Sequence, residues 1–190
     1  MLYRFTNIQK VLILLFIYST IGLIAHYIFQ FGNQQKSTWV LLILNFMLCW
    51  NLMLIGFFYF QAFKFHRLPE KYYLKKWFES DRLYKIFGVA VFRLILIHSF
   101  FRHLNNRVYL KGRKKEYLNT FIEETKQSET SHILSTLATL IMQLIYLMTN
   151  QLESFLWLTV FNILFNLYPL LLQRMNRFSL IRKYPNLINS

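Results

Sequence analysis

The sequence predicts an all-α integral membrane protein with four transmembrane helices plus in-plane or re-entrant helices on the cytoplasmic side. Three observations carry that prediction. Of 190 residues, 55% are apolar and only 16% charged, too few charges for an ordinary soluble domain of this length. The apolar residues gather in uncharged runs long enough to cross a bilayer. The cations are segregated: of 22 Lys and Arg, all but Lys36 fall at the termini or in one central segment, which places both termini in the cytoplasm by the positive-inside rule.

Residues 1–63 read as a two-helix membrane hairpin. Residues 11–30, VLILLFIYSTIGLIAHYIFQ, supply about 30 Å of helix, enough for the hydrocarbon core. No small-x-small cleavage pattern follows His26 and Tyr27, so the run reads as a retained anchor. A loop containing Lys36 leads to the second run, 37–63, where Asn45 and Asn51 are expected to hydrogen-bond across to another helix. Trp39 and Tyr59 near its ends fit the interfacial aromatic pattern.

Residues 64–130 form a basic, aromatic, membrane-associated cytoplasmic segment holding 15 of the 22 cations and seven of the eight acids. Basic residues interleaved with Tyr, Trp and Phe beside a membrane span point to anionic lipid headgroups rather than nucleic acid. Within it, residues 86–101 are apolar except for Arg93, His98 and a few small residues. Burying Arg93 at bilayer mid-depth costs at least about 2.5 kcal/mol, so this run is read as an interfacial helix with Arg93 snorkelling to the surface. Lys111, Arg113, Lys114 and Lys115 around Gly112 suit either a phosphate-bearing donor such as the nucleotide of coenzyme A or lipid headgroups, and the lack of a Gly-rich phosphate loop favours headgroups.

Residues 131–190 form a second two-helix hairpin with a basic tail. Its spans, 133–149 and 154–172, are joined by NQLES, a turn short enough to force them antiparallel. Asn162 and Asn166 stand one turn apart on the last span, and Gln173, Arg174, Asn176 and Arg177 mark its exit.

The boundary of the third span carries the most reactive pattern. In Glu124–Ser135, ETKQSETSHILS, a continuous helix would stack Glu124, Glu129 and His132 on neighbouring stripes. His132 is the last strongly titratable group before the apolar run and so belongs at headgroup depth. The lone Cys49 excludes a disulfide framework and a Cys-based zinc site. Five dispersed histidines, His26, His66, His98, His103 and His132, lack the paired spacing of a di-iron membrane enzyme, so no metal is expected.

The ETKxxExxH segment, followed by an Asn-bearing span ending in QRxNR, resembles the bacterial glycosyl-4,4'-diaponeurosporenoate acyltransferases over roughly residues 78–183, with a looser echo at Phe78, Glu79 and Tyr84. The resemblance implies a small inner-membrane enzyme of carotenoid biosynthesis that moves a fatty acyl group onto a sugar hydroxyl of a carotenoid glycoside or related glycolipid. It also implies an acyl-CoA or acyl carrier protein thioester as co-substrate with no tightly bound cofactor, and it adds Lys126 to the substrate-binding set. That chemistry suits the residues. His132 would serve as general base, Glu129 or Glu124 would orient and support its imidazolium, and Arg174, Asn176, Arg177 and Asn166 would meet the oxyanion and donor phosphates. No Ser or Cys lies in a nucleophile-elbow pattern, which favours direct transfer. The different-class alternative is a non-catalytic membrane subunit that binds a partner protein or anionic lipid through its basic centre.

Overall fold

A computed structural model of the chain describes residues 6–32, 37–63, 68–73, 79–98 and 117–184. Lys36, His66, His103, Phe78, the 99–101 end of the interfacial run and the Lys111–Lys115 cluster lie outside them, as does the Tyr59 side chain. The described elements are all helical: α1 (Asn7–Gly32), α2 (Thr38–Phe63), α3 (Glu70–Tyr73), α4 (Asp81–Ile86), α5 (Val89–His98), α6 (Tyr117–Met148), α7 (Leu152–Asn162), a π-helical turn (Ile163–Leu167) and α8 (Tyr168–Lys183). Four stretches are long and apolar enough to cross a membrane: Asn7–Gln30, Thr38–Gly56, Leu118–Met148 and Leu152–Lys183. These are the four predicted spans, and the protein is an all-helical membrane protein.

The chain divides into two compact units. The first comprises Met1–His66 and Ser131–Leu167, the second Arg67–Thr130 and Tyr168–Ser190. In the first unit, α1, α2, α7 and the membrane half of α6 pack around Ile24, Ile28, Leu48, Leu52, Tyr146 and Leu158, while Phe16, Leu23, Ile43, Leu144 and Leu156 remain exposed, as side chains facing lipid do. Thr149–Gln151 turn the chain from α6 into α7. Asn150 takes the left-handed conformation at φ 57°, and Gln151 N donates to Tyr146 O at 2.8 Å, closing the helix end with an Asn where Gly is more usual.

Small and hydroxylated residues let these helices approach closely. Ser131, Ser135, Thr139 and Gln143 recur every fourth residue along α6 and are all buried. The hydroxyls of Ser135 and Thr139 donate to the carbonyls of Ser131 and Ser135, which satisfies them where no water competes. A Cβ placed on Gly56 of α2 would run into the Ser131 carbonyl and the Ser135 hydroxyl, so only glycine fits this crossing. Of the two α2 amides expected to reach another helix, Asn51 does, accepting from Thr20 of α1 at 2.9 Å. Asn45 instead donates to Leu41 O on its own helix at 2.8 Å, because its side chain rises beside the preceding turn rather than facing a polar partner.

In the second unit, Ser80 caps α4, its hydroxyl accepting from Leu83 N at 3.2 Å. Gly88, at φ 66°, then ends that helix and redirects the chain. The apolar run read from Ile86 is therefore two pieces, with α5 starting at Val89. Its 10 described residues reach about 15 Å, half of a bilayer core. Tyr84, Val89 and Leu172 form the small core that joins α4, α5 and α8, and Leu118, Phe121 and Leu180 join the start of α6 to α8.

Candidate functional site

The second unit holds a neutral cluster of four buried charges. Glu129 of α6 is fully buried and gives one oxygen to each of two arginines of α8: Oε1 accepts from Arg174 Nη1 at 2.6 Å and Oε2 from Arg177 Nη2 at 2.5 Å. Arg174 Nε also donates to Glu79, itself buried ahead of α4. Two guanidinia and two carboxylates thus cancel, which is the condition for keeping charges this far from water. Arg174 and Arg177 are three apart on α8 and so share a helix face.

The C-terminal end of α3 completes the cradle. Arg174 lies 5.3 Å from the Tyr72 ring and Arg177 5.2 Å from that of Tyr73, cation–π contacts that substitute for water. Arg177 Nε donates to Tyr73 O at 3.3 Å, one of the unpaired carbonyls at a helix end. The Tyr73 hydroxyl sits 2.6 Å from that of Thr130. Thr130 already donates to Lys126 O, so Tyr73 is the donor of this pair and accepts in turn from Leu68 N.

Electrostatics at the rim follow the cluster. Burial pushes the Tyr84 phenol up to about 12, helped by the Glu79 charge and opposed by Arg174 and Arg177. Tyr72 is raised too, by partial burial and then by Glu129, again against the two arginines. A cavity of about 220 Å³ opens beside the cluster, walled by Tyr73, Glu79, Arg174, Arg177, Phe178 and Ile181. On α8, Arg177 Nη1 and Asn176 Nδ2 are buried donors with no hydrogen-bond partner among the described residues. Since an unpaired buried donor is costly, these are natural places for an anionic or carbonyl oxygen.

His132 belongs to the first unit. Its residue is half-buried, and its Nδ1 is sealed from solvent without a hydrogen-bond partner among the described residues. The polar side chain that engages the imidazole is Asn166, which is fully buried and donates from Nδ2 to Asn162 Oδ1 at 2.9 Å. Asn166 stands on the π-helical turn. Pro169 explains that turn: it has no N–H for the Phe165 carbonyl and its ring crowds it, so the helix widens just before. The widened turn sets the direction of the Asn166 side chain.

The predicted residues therefore separate into two groups. Glu129, Arg174 and Arg177 are bonded together, with Asn176 buried on the same helix. Lys126 pairs with Glu70 at 2.7 Å and Glu123 at 3.1 Å and covers the Tyr73 ring. Glu124 is half-buried on α6. His132 comes together with Asn166. Both Glu129 oxygens are held by arginines, and the side chain that meets the His132 ring is an amide. Tyr72, Tyr73 and the full part played by Glu79 escaped the sequence reading. The available signal was an acid amid cations, whose burial requires a partner.

Comparison with curated proteins gives no match, nor does comparison with solved structures. A family profile matches residues 69–184, a stretch that takes in the charge cluster, His132 and Asn166 and leaves out α1 and α2. That is more than half of the chain, and the chain belongs to the glycosyl-4,4'-diaponeurosporenoate acyltransferase family.

Proposed function

We propose that this protein moves a fatty acyl group from a thioester donor, acyl-CoA or acyl carrier protein, to a sugar hydroxyl of a glycosylated carotenoid or similar glycolipid at the bacterial inner membrane, with both termini cytoplasmic. The observation that carries this reading is the Arg174–Glu129–Arg177 cluster inside the matched region, with donors left over beside a cavity. A cation cluster already neutralised by acids is poor as a bulk anion trap, but Arg177 Nη1, at the cavity, can still meet an oxygen that carries negative charge.

Two duties are assigned. His132 removes the proton of the attacking hydroxyl, which typically accelerates such a step by about 10²–10⁴, and Asn166 fixes the orientation of its ring. Arg177 and Asn176 bind anionic oxygens of the thioester donor, and the sugar oxygen bonds to the thioester carbonyl carbon. The tetrahedral intermediate then expels the thiolate, which takes up the proton from the imidazolium. No acyl-enzyme is required, since the sugar hydroxyl attacks the thioester directly.

The test is acyl transfer by the purified full chain, with radiolabelled acyl-CoA and acyl carrier protein offered separately and a glycosylated carotenoid as acceptor. A labelled product that His132→Ala abolishes, with helical content and melting retained, supports the reading. Product formation by His132→Ala removes the base assignment. No product with either donor overturns the catalytic reading in favour of a non-catalytic membrane subunit.

A further inference from the structure

A second groove, of about 530 Å³, lies between α4, α5 and α8 in the second unit, and none of the acyl-transfer residues lines it. Its lining brings the apolar side chains of Leu94, Ile97 and Met175 together with Lys85, Arg93 and Ser179. Asp81, the acid at its edge, is already bonded to Arg182. Lys85 and Arg93 are exposed and have no ion-pair partner among the described residues. Beside the cations, Ile86, Phe87, Val91 and Ile95 are each more than half exposed, an apolar face that water does not favour.

Two uncommitted cations among apolar side chains complement an amphiphile with an anionic head. A free anion would leave the apolar side chains bare, and a neutral lipid would leave the cations unpaired. We propose that this groove binds one anionic phospholipid, its phosphate held by Lys85 and Arg93 and its acyl chains laid along Leu94, Ile97 and the exposed side of α5. Occupancy would anchor α4 and α5 at the membrane surface, which explains why a ten-residue apolar helix carries an arginine at its middle.

Native mass spectrometry of the full chain in neutral detergent tests this, with phosphatidylglycerol and phosphatidylcholine of matched acyl chains as probes. Phosphatidylglycerol should be retained at about tenfold lower concentration than phosphatidylcholine, and the Lys85→Gln, Arg93→Gln double variant should lose that preference. Both positions are exposed, so its melting should match the parent. Arg82→Gln, a cation of the same segment outside the groove, should keep the preference. Equal retention of the two lipids, a preference that survives in the double variant, or equal loss in Arg82→Gln would overturn the proposal. Displacement of phosphatidylglycerol by the same concentration of inorganic phosphate would mark a simple anion site and overturn the lipid assignment. None of these readouts depends on acyl transfer.

Discussion

Arg174 and Glu129 meet at 2.6 Å with both side chains buried, and the carboxylate that receives Arg174 on one oxygen receives Arg177 on the other. Glu129→Gln keeps the shape but removes one of two negative charges, leaving two guanidinia with Glu79 alone. Breaking a buried pair from one side costs about 3–5 kcal/mol. Thermal unfolding in detergent should show a loss of that size for Glu129→Gln, against a near-neutral effect for Glu153→Gln on the other side of the chain's turn, where the acid is exposed. A Glu129→Gln protein that melts with the parent would show that the cluster does not hold the second unit together.

Gly56 and Gly22 make opposite predictions although both lie in apolar helices. Alanine at 56 must displace the Ser131 backbone or the Ser135 hydroxyl, whereas at 22 nothing stands within 4 Å of the new methyl. Overpacking of this kind costs about 1–3 kcal/mol. Gly56→Ala should therefore melt lower, and Gly22→Ala should melt with the parent or slightly above, because alanine favours helix over glycine. Equal melting of the two variants would remove the close crossing of α2 and α6.

What the sequence disclosed and what it hid divide along physical lines. The spans were legible because a bilayer demands length and lack of charge, and both can be counted along the chain. His132 and Arg174 were legible as candidates because a titratable group at a span boundary is costly unless used. The pairing of Glu129 with Arg174 was not, since 45 residues separate them and either of Glu124 and Glu129 suited the stripe equally. Glu79 lies 95 residues from its arginine. That Asn51 rather than Asn45 crosses to α1 depends on which face α2 turns toward Thr20, information that hydropathy does not contain. The π-helical turn had one local cue, Pro169, but a proline announces a distortion without saying whether the helix breaks, kinks or widens.

Asn166 offers a sharper test of the proposed base than His132 itself. If the amide orients the imidazole, Asn166→Ala should lower kcat by about 10-fold to 100-fold, at or below the lower end of the roughly 10²–10⁴ that general-base help supplies, while KM for the acyl donor stays near the parent value. Asn162→Ala removes only the acceptor of the Asn166 Nδ2 bond and should cost less. Unchanged kcat in Asn166→Ala would detach the amide from the chemistry, and a raised KM with unchanged kcat would make it a binding group instead.

Tyr84 links the cluster to pH. Its phenol is raised from the ordinary value of 10.0 to about 12, chiefly by burial and then by Glu79. A raised acid releases its proton later in the folded than in the unfolded chain, so above pH 10.0 the unfolded state binds fewer protons and stability falls as pH rises. Below that pH both states keep the proton and Tyr84 contributes no slope. The stability difference between the parent and Tyr84→Phe should thus be flat up to about pH 10 and then move against the parent, by up to about 2 kcal/mol near pH 12. Chemical denaturation at a series of pH values in detergent measures it. Parallel curves for the two proteins across the alkaline range would mean that the phenol ionises freely in the folded chain, and that the Glu79 end of the cluster is open to water.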